Sequence, residues 1–238
     1  MTVDSRALRL LVVSAWSLFL LWLWLSDEVL RYLGPRTEWV APVGGLLLAL
    51  VAAAYSRAIT PEPAVRPSAV EVLGTVALLA PIVLALFLSG ASLGSLAASK
   101  KLTSRGVDLA ALARLDAGRS GEVSFLDLEG AGRDSQLARE KDIRPGRSVT
   151  LTGFVSRPAA NRDEGFELAR FYITCCVADA IPVGVTVEPP AQARRSPRKD
   201  EWLTVTGSIV RSGEHFGVQA LRITHTTEPS DPYLSFGS

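Results

Sequence analysis

Cys175 and Cys176 stand side by side, and Asp179 follows three residues later. Thiolate and carboxylate in one short stretch can hold a metal ion, and thiolate with imidazole suits zinc or copper(I). The chain has two cysteines and two histidines, His215 and His225, so a four-ligand zinc site needs a carboxylate as well. Read as a strand, Phe166 to Ala178 sends successive side chains to opposite faces. Cys175 then shares the apolar face with Phe171, Ile173 and Val177 and is a small core residue. Cys176 falls on the mixed face with Tyr172, Thr174 and Ala178, close to Asp179. The candidate metal set is Cys176, Asp179, Cys175 and His225, with zinc or copper as the ion.

Each of these residues also has a plainer use. Cys176 can be a half-buried structural thiol, a soft-metal ligand or a redox-active thiol. Nucleophilic catalysis requires a base and an oxyanion site, and the spacing supplies neither, so the chain reads as a non-enzyme. A disulfide between neighbouring cysteines would be strained. Asp179 can cap the turn into Ile181-Pro182. His225 lies near a strand end and His215 in a hairpin turn, both ordinary places for a solvated histidine. The basic run Arg194 to Lys199 is a solvated loop or a contact for anionic headgroups or a partner.

The elements that must position these residues divide sharply. Of the 238 residues, 48% are hydrophobic and 21% charged, with net charge +1. Leu10 to Ser26, Trp39 to Ser56 and Val72 to Ser99 contain no charged residue. A bilayer core about 30 Å thick needs roughly 20 apolar helical residues. Three transmembrane helices are therefore expected, at about residues 10–26, 39–56 and 72–95, in a domain of residues 1–99. Gly74, Pro81, Gly90 and Gly94 predict a tilt or kink in the third. Trp22, Trp24 and Trp39 fit an interfacial belt, and the basic pair Lys100-Lys101 an anchor at the headgroups. Arg6 and Arg9 ahead of an apolar run also allow a signal peptide, but the exit through Trp22, Trp24, Asp27 and Glu28 lacks a small-residue cleavage site. Gly44-Gly45, Ala52 to Ala54 and Gly90 to Gly94 are small-residue surfaces on which another membrane protein can pack. Basic residues number four on one side of the spans and five on the other, so loop charge does not decide orientation; the dominance of the first helix favours an extracytoplasmic second domain.

Asp108 to Asp116 reads as a helix capped by Asp108, with leucines at 109, 112 and 115. Residues 117–147 are polar and Gly-rich and read as a linker ordered only in part, so residues 100–147 form a juxtamembrane helix and linker. From Ser148 the period changes to two. Strands are expected at Val149 to Val155, Phe166 to Ala178, Pro182 to Glu188, Trp202 to Arg211 and Phe216 to His225, with Gly153 and Gly207 marking bends or bulges. Five strands in residues 148–228, ahead of a tail at 229–238, suggest an all-β domain: an OB-like five-stranded barrel, or else a sandwich or open sheet. Val149, Leu151, Ile173, Val185, Val205 and Leu221 are expected inward. After Ser99, 19 basic residues meet 18 acidic ones. That balance excludes the basic excess of a nucleic-acid-binding domain.

Several stretches resemble the YcgQ-like membrane proteins. They are Tyr32-Leu-Gly-Pro-Arg36, Leu78-Leu-Ala-Pro-Ile82, Ser92-Leu-Gly-Ser95, Leu151-Thr-Gly-Phe-Val155, Trp202-Leu-Thr-Val-Thr-Gly207 and Asp231-Pro-Tyr233. The most specific is the pattern Arg170-Phe171, Cys175-Cys176, Asp179-Ala180. The resemblance implies a subunit of a two-component permease, with a C-terminal domain of unknown function and a polytopic membrane partner, moving a metal ion or other small solute. Many relatives carry a histidine-rich loop between the second and third helices; Arg57 to Glu71 here has no histidine. The expected function is thus an accessory subunit of a membrane permease complex, a multi-pass protein of the cell membrane whose β domain docks on or gates its partner. The alternative is a membrane-tethered metal- or thiol-handling protein using Cys176 and Asp179.

Overall fold

The computed structural model describes residues 5–58, 67–88, 93–101, 107–115, 122–160, 165–190 and 196–235. The chain divides into two compact units, Met1–Ala91 and Ser92–Ser238.

The first unit holds α1 (Ser5–Leu25), α2 (Val40–Ala58) and α3 (Ala69–Leu88). All three are long and apolar enough to cross a membrane. α1 packs against both other helices. A Cβ on Gly45 would lie 2.8 Å from Leu21 Cγ, so this glycine lets α1 and α2 approach closely. Ser17 completes the contact by donating to the Gly45 carbonyl at 2.8 Å. The small residues at Gly44-Gly45, expected to face another protein, thus face α1. Trp22, Trp24 and Trp39 are exposed. A single turn of 3-10 helix, Glu28–Arg31, follows α1, and Val29 is buried with Leu23 and Ala41.

α3 ends at Leu88, short of the expected 95. Residues 89–92, including Gly90, lie outside the described residues. Ser95–Lys101 forms a separate helix, α4, that belongs to the second unit and packs on its first strand. The reason is local: the Asp200 carboxylate accepts the Ser95 N–H at 2.6 Å, and Ala98 is buried among Phe154, Phe171 and Tyr233.

The second unit is built on a closed five-stranded barrel. Its strands are β1 (Ser148–Arg157), β2 (Phe166–Tyr172), β3 (Ile181–Glu188), β4 (Trp202–Ser212) and β5 (His215–His225). The order is β1-β4-β5-β3-β2, and β2 returns to β1. Only the β3–β5 pairing in this circuit is parallel. β1 changes neighbour midway. Ser148 to Phe154 pair with β4, and Phe154 to Arg157 pair with β2; Gly153 sits at that change, as a bend residue should. A short sixth strand, β6 (Tyr233–Leu234), runs parallel to β2 at Phe171 and Tyr172, the part of β2 that β1 does not reach.

The barrel interior is filled. Val149, Leu151, Val155, Leu168, Val185, Val205 and Val218 are buried in one cluster. Leu221, expected inward, is 72% exposed. Thr206 pairs with Arg222 but Gly207 with Ala220, so Leu221 is the extra residue of a β-bulge and turns outward. Ile173 is buried, but in a smaller cluster with Phe154, Phe171 and Ala180 outside the main core.

Of the stretch read as linker, residues 117–121 lie outside the described residues, and residues 122–147 are part of the same body. α5 (Leu109–Leu115) is capped by Asp108, whose Oδ1 accepts the N–H groups of Ala110 and Ala111, each at 3.0 Å. α6 (Phe125–Arg133) begins with a capping box: Ser124 accepts the Asp127 N–H and Asp127 accepts the Ser124 N–H. α7 (Ser135–Glu140) is capped by Asp134, which accepts the N–H groups of Gln136 and Leu137. Phe125, Leu126, Leu128 and Leu137 are buried with the barrel residues. Two of the glycines in this stretch, Gly130 and Gly132, serve packing. A Cβ on Gly130 would lie 2.9 Å from Leu137 Cδ2 and 3.2 Å from the Leu109 carbonyl oxygen, so α5 and α7 close on α6 only over a bare Cα.

Candidate functional site

β2 stops at Tyr172, six residues before the expected end, and both cysteines lie in the loop beyond it. Hydrogen bonding explains the stop. The Ile173 N–H still donates to a strand, reaching the Leu234 carbonyl at 2.8 Å. The next two N–H groups do not: Thr174 donates to Asp179 Oδ1 at 3.0 Å, and Cys175 to Asp179 Oδ2 at 2.9 Å. A side-chain carboxylate thereby replaces a neighbouring strand as the acceptor. Val177–Asp179 forms a turn of 3-10 helix, closed by the Asp179 N–H on the Cys176 carbonyl at 3.1 Å.

This turn gathers the cysteines instead of separating them. Cys175 Sγ, Cys176 Sγ and an Asp179 carboxylate oxygen all lie within 4.8 Å of one another. Cys175 is exposed, not a core residue, and Cys176 is half-buried. Asp179 is half-buried. The alternation that put the cysteines on opposite faces does not apply once the strand has ended. Asp179 does act as a cap, but for the cysteine loop and not for the turn into Ile181-Pro182.

The electrostatics follow from the turn. The Cys175 thiol is pushed up to about 11, chiefly by its hydrogen bond to the Asp179 carboxylate and then by Cys176. Burial pushes the Asp179 carboxyl up, but the Cys175 thiol and the backbone N–H groups of Cys175, Thr174 and Cys176 outweigh it and hold it below its ordinary value. Without a bound cation the loop is therefore a protonated thiol beside a carboxylate.

Neighbouring elements fix the loop. Arg170 donates to the carbonyls of Pro232 at 3.2 Å and of Asp231, drawing the C-terminal segment onto β2. Desolvation lowers the Arg170 guanidinium from its ordinary value, with Asp231 opposing. Phe171 stacks on Phe154 with ring centroids 5.6 Å apart. Ala180 is buried beside them. Four positions of the Arg-Phe, Cys-Cys, Asp-Ala pattern thus have a structural place: the arginine and phenylalanine anchor the strand, the aspartate shapes the loop, and the alanine is buried in the smaller cluster with Phe154 and Phe171. The sequence held a sign of the Arg170 role in Asp231-Pro-Tyr233, which this arginine binds.

The histidines do not join the cluster. His225 Nδ1 lies 2.9 Å from Glu201 Oε1 on the β4 side, and His215 opens β5 after the Gly213-Glu214 turn. A cleft of about 620 Å³ runs between α6, β1 and the C-terminal segment, lined by Ser124, Lys141, Thr150, Arg170 and Tyr233 among others; neither cysteine lines it. Glu129 is a titratable group that the sequence pattern does not mark. Glu129 on α6 is raised by burial, against the opposing effects of the Gly184 N–H, which it accepts at 3.3 Å, and of Arg133. Nothing in the helix pattern distinguished it from a surface glutamate.

Residues 135–235 match the family model of the DUF1980 C-terminal domain, a domain of unknown function. The match runs from α7 through β6 and contains the cysteine loop; α6 precedes it. No curated protein and no solved structure matches the chain.

Proposed function

We propose that the chain is an accessory subunit of a membrane permease complex, with the barrel unit docking on or gating a polytopic partner that moves a metal ion or other small solute. The observation that carries this reading is the chemistry of the three helices. From Leu10 to Leu25, Val40 to Ser56 and Val72 to Leu88 there is no Asp, Glu, Lys, Arg or His. Paths for polar solutes through a bilayer are lined by ionisable or polar groups, so these helices serve better as an anchor and a packing surface than as a pore. The filled barrel interior fits the same role, since a core packed with valine and leucine is not a conduit. The resemblance to YcgQ-like proteins supports a permease partner, and the match at residues 135–235 supports a shared C-terminal domain without adding chemistry.

Purification from native membranes in mild detergent tests the proposal. A polytopic membrane protein held in constant ratio to the chain through size exclusion is the expected result. A chain that elutes by itself from intact native membranes, with no such protein, overturns it.

A further inference from the structure

We propose that Cys175, Cys176 and Asp179 form a binding site for a soft d10 cation, with copper(I) preferred over zinc(II). The site goes beyond the accessory role and does not rest on it. Three observations combine. The ligand atoms converge: both sulfurs and a carboxylate oxygen lie within 4.8 Å of one another. Metal–thiolate bonds of about 2.3 Å place two sulfurs up to about 4.6 Å apart across one ion, which this spacing allows. The loop is also held by its own backbone, because the carboxylate accepts two amides of the loop that carries the thiols. The ligands are thus ordered before any ion arrives, which lowers the entropic cost of binding. Finally, the site is accessible, since Cys175 is exposed and Cys176 half-buried.

The donor set decides the class of ion. Two thiolates suffice for copper(I), which accepts low coordination and prefers soft sulfur. Tetrahedral zinc wants four protein ligands in a structural site, and only three converge here. Neither histidine supplies the fourth, since among the described residues the cluster contains only these three side chains. Each Asp179 oxygen carries two lone pairs. Loop amides occupy lone pairs on both oxygens, and the lone pair that accepts the Cys175 thiol proton is the one an incoming cation would take. Binding is a simple exchange: the S–H bonds break, the protons leave to solvent, and sulfur–metal bonds form with no change of oxidation state.

The test uses the full chain in detergent, reduced and metal-free. It is titrated anaerobically with copper(I) against a chromophoric copper(I) chelator, and in parallel with zinc(II) against a zinc indicator. The expected result is one copper(I) per chain. The double variant C175S/C176S should lose this binding by more than about 100-fold and D179N should weaken it about tenfold, magnitudes taken from the loss of groups that hold metal ligands. H225Q should bind as the wild type does. In the wild-type chain itself, copper(I) should protect both thiols from alkylation, a readout that no variant's folding can affect. Failure to retain copper(I) or to protect the thiols would overturn the site. So would equal binding by C175S/C176S, or retention of zinc(II) without copper(I).

Discussion

The two units use the same side chains in opposite ways. In the helical unit Leu46, Leu50, Leu73, Leu84 and Phe87 are exposed, as are most large apolar residues of α2 and α3. In the second unit Leu168, Val185, Leu203, Val205 and Ile209 are almost wholly buried, and among its described residues Leu96, Leu115 and Leu221 are the exposed large hydrophobics. The difference is one of solvent. Lipid tails are as apolar as leucine and give helices no reason to hide it, whereas water drives the barrel's apolar faces inward. The side-chain chemistry separates along the same line. The helices offer long uncharged apolar stretches, and the barrel unit offers a loop with one exposed thiol beside a half-buried thiol and carboxylate.

The largest expected effects come from exchanging these two logics. Leu168→Ala removes a wholly buried side chain and should destabilise the barrel unit by about 2–5 kcal/mol; protease susceptibility of the full chain in denaturant reads this. Leu78→Arg places a charge in the middle of α3 and should cost about 2.5–3.5 kcal/mol of membrane insertion, seen as a fall in the membrane-integrated fraction. Leu221→Arg, by contrast, should change barrel stability by no more than about 0.5 kcal/mol, because the bulge has already turned this position outward. A large effect at Leu221 would mean that this position is packed and not turned to water.

A smaller effect is expected at the loop. Asp179→Ala leaves the Thr174 and Cys175 amides without their acceptor. The loop is open to water, which can replace those bonds, so the cost should be about 1 kcal/mol and not the larger figure for a buried charge. Amide hydrogen exchange should quicken at Thr174 and Cys175 while Leu168 stays protected. Uniform deprotection of the barrel would show that Asp179 supports the core.

The smallest effect concerns Glu129. Burial raises its carboxyl above the ordinary 4.5. The folded state therefore holds this proton more tightly than the unfolded state. The associated stability is fully present below 4.5 and is lost as pH rises through the folded value. Glu129→Gln should make the barrel unit at least as stable as wild type at neutral pH. Its advantage should shrink as the solution is acidified below pH 4.5, where the wild-type carboxyl is protonated in both states. Melting curves of both proteins across that range check it, and a variant less stable at every pH would contradict the sign.

Much of this organisation is legible in the sequence, because solvent writes it there. Long uncharged runs mark the three helices, and alternation at Val149, Leu151, Val185 and Val205 marks the barrel. Failures occur where a single local contact overrides the pattern. Asp179 ends β2 by capturing two amides, which period two cannot foresee, and this alone changes Cys175 from core residue to exposed thiol. Gly130 looks like a linker residue until α5 and α7 are seen packed over it. The bulge opposite Gly207 inverts Leu221, although the glycine itself was a visible warning. The site was half legible: the cysteines and the aspartate were identifiable by type, but their convergence depends on the turn.

On the function proposed above, the helical unit packs against another membrane protein. A photoreactive residue placed in native membranes at Val51 on α2 or Leu84 on α3, both exposed, tests it most directly. One discrete crosslinked product, containing the same polytopic protein from both positions, is the expected result. Crosslinks only to lipid and to the chain itself, at both positions, would contradict it.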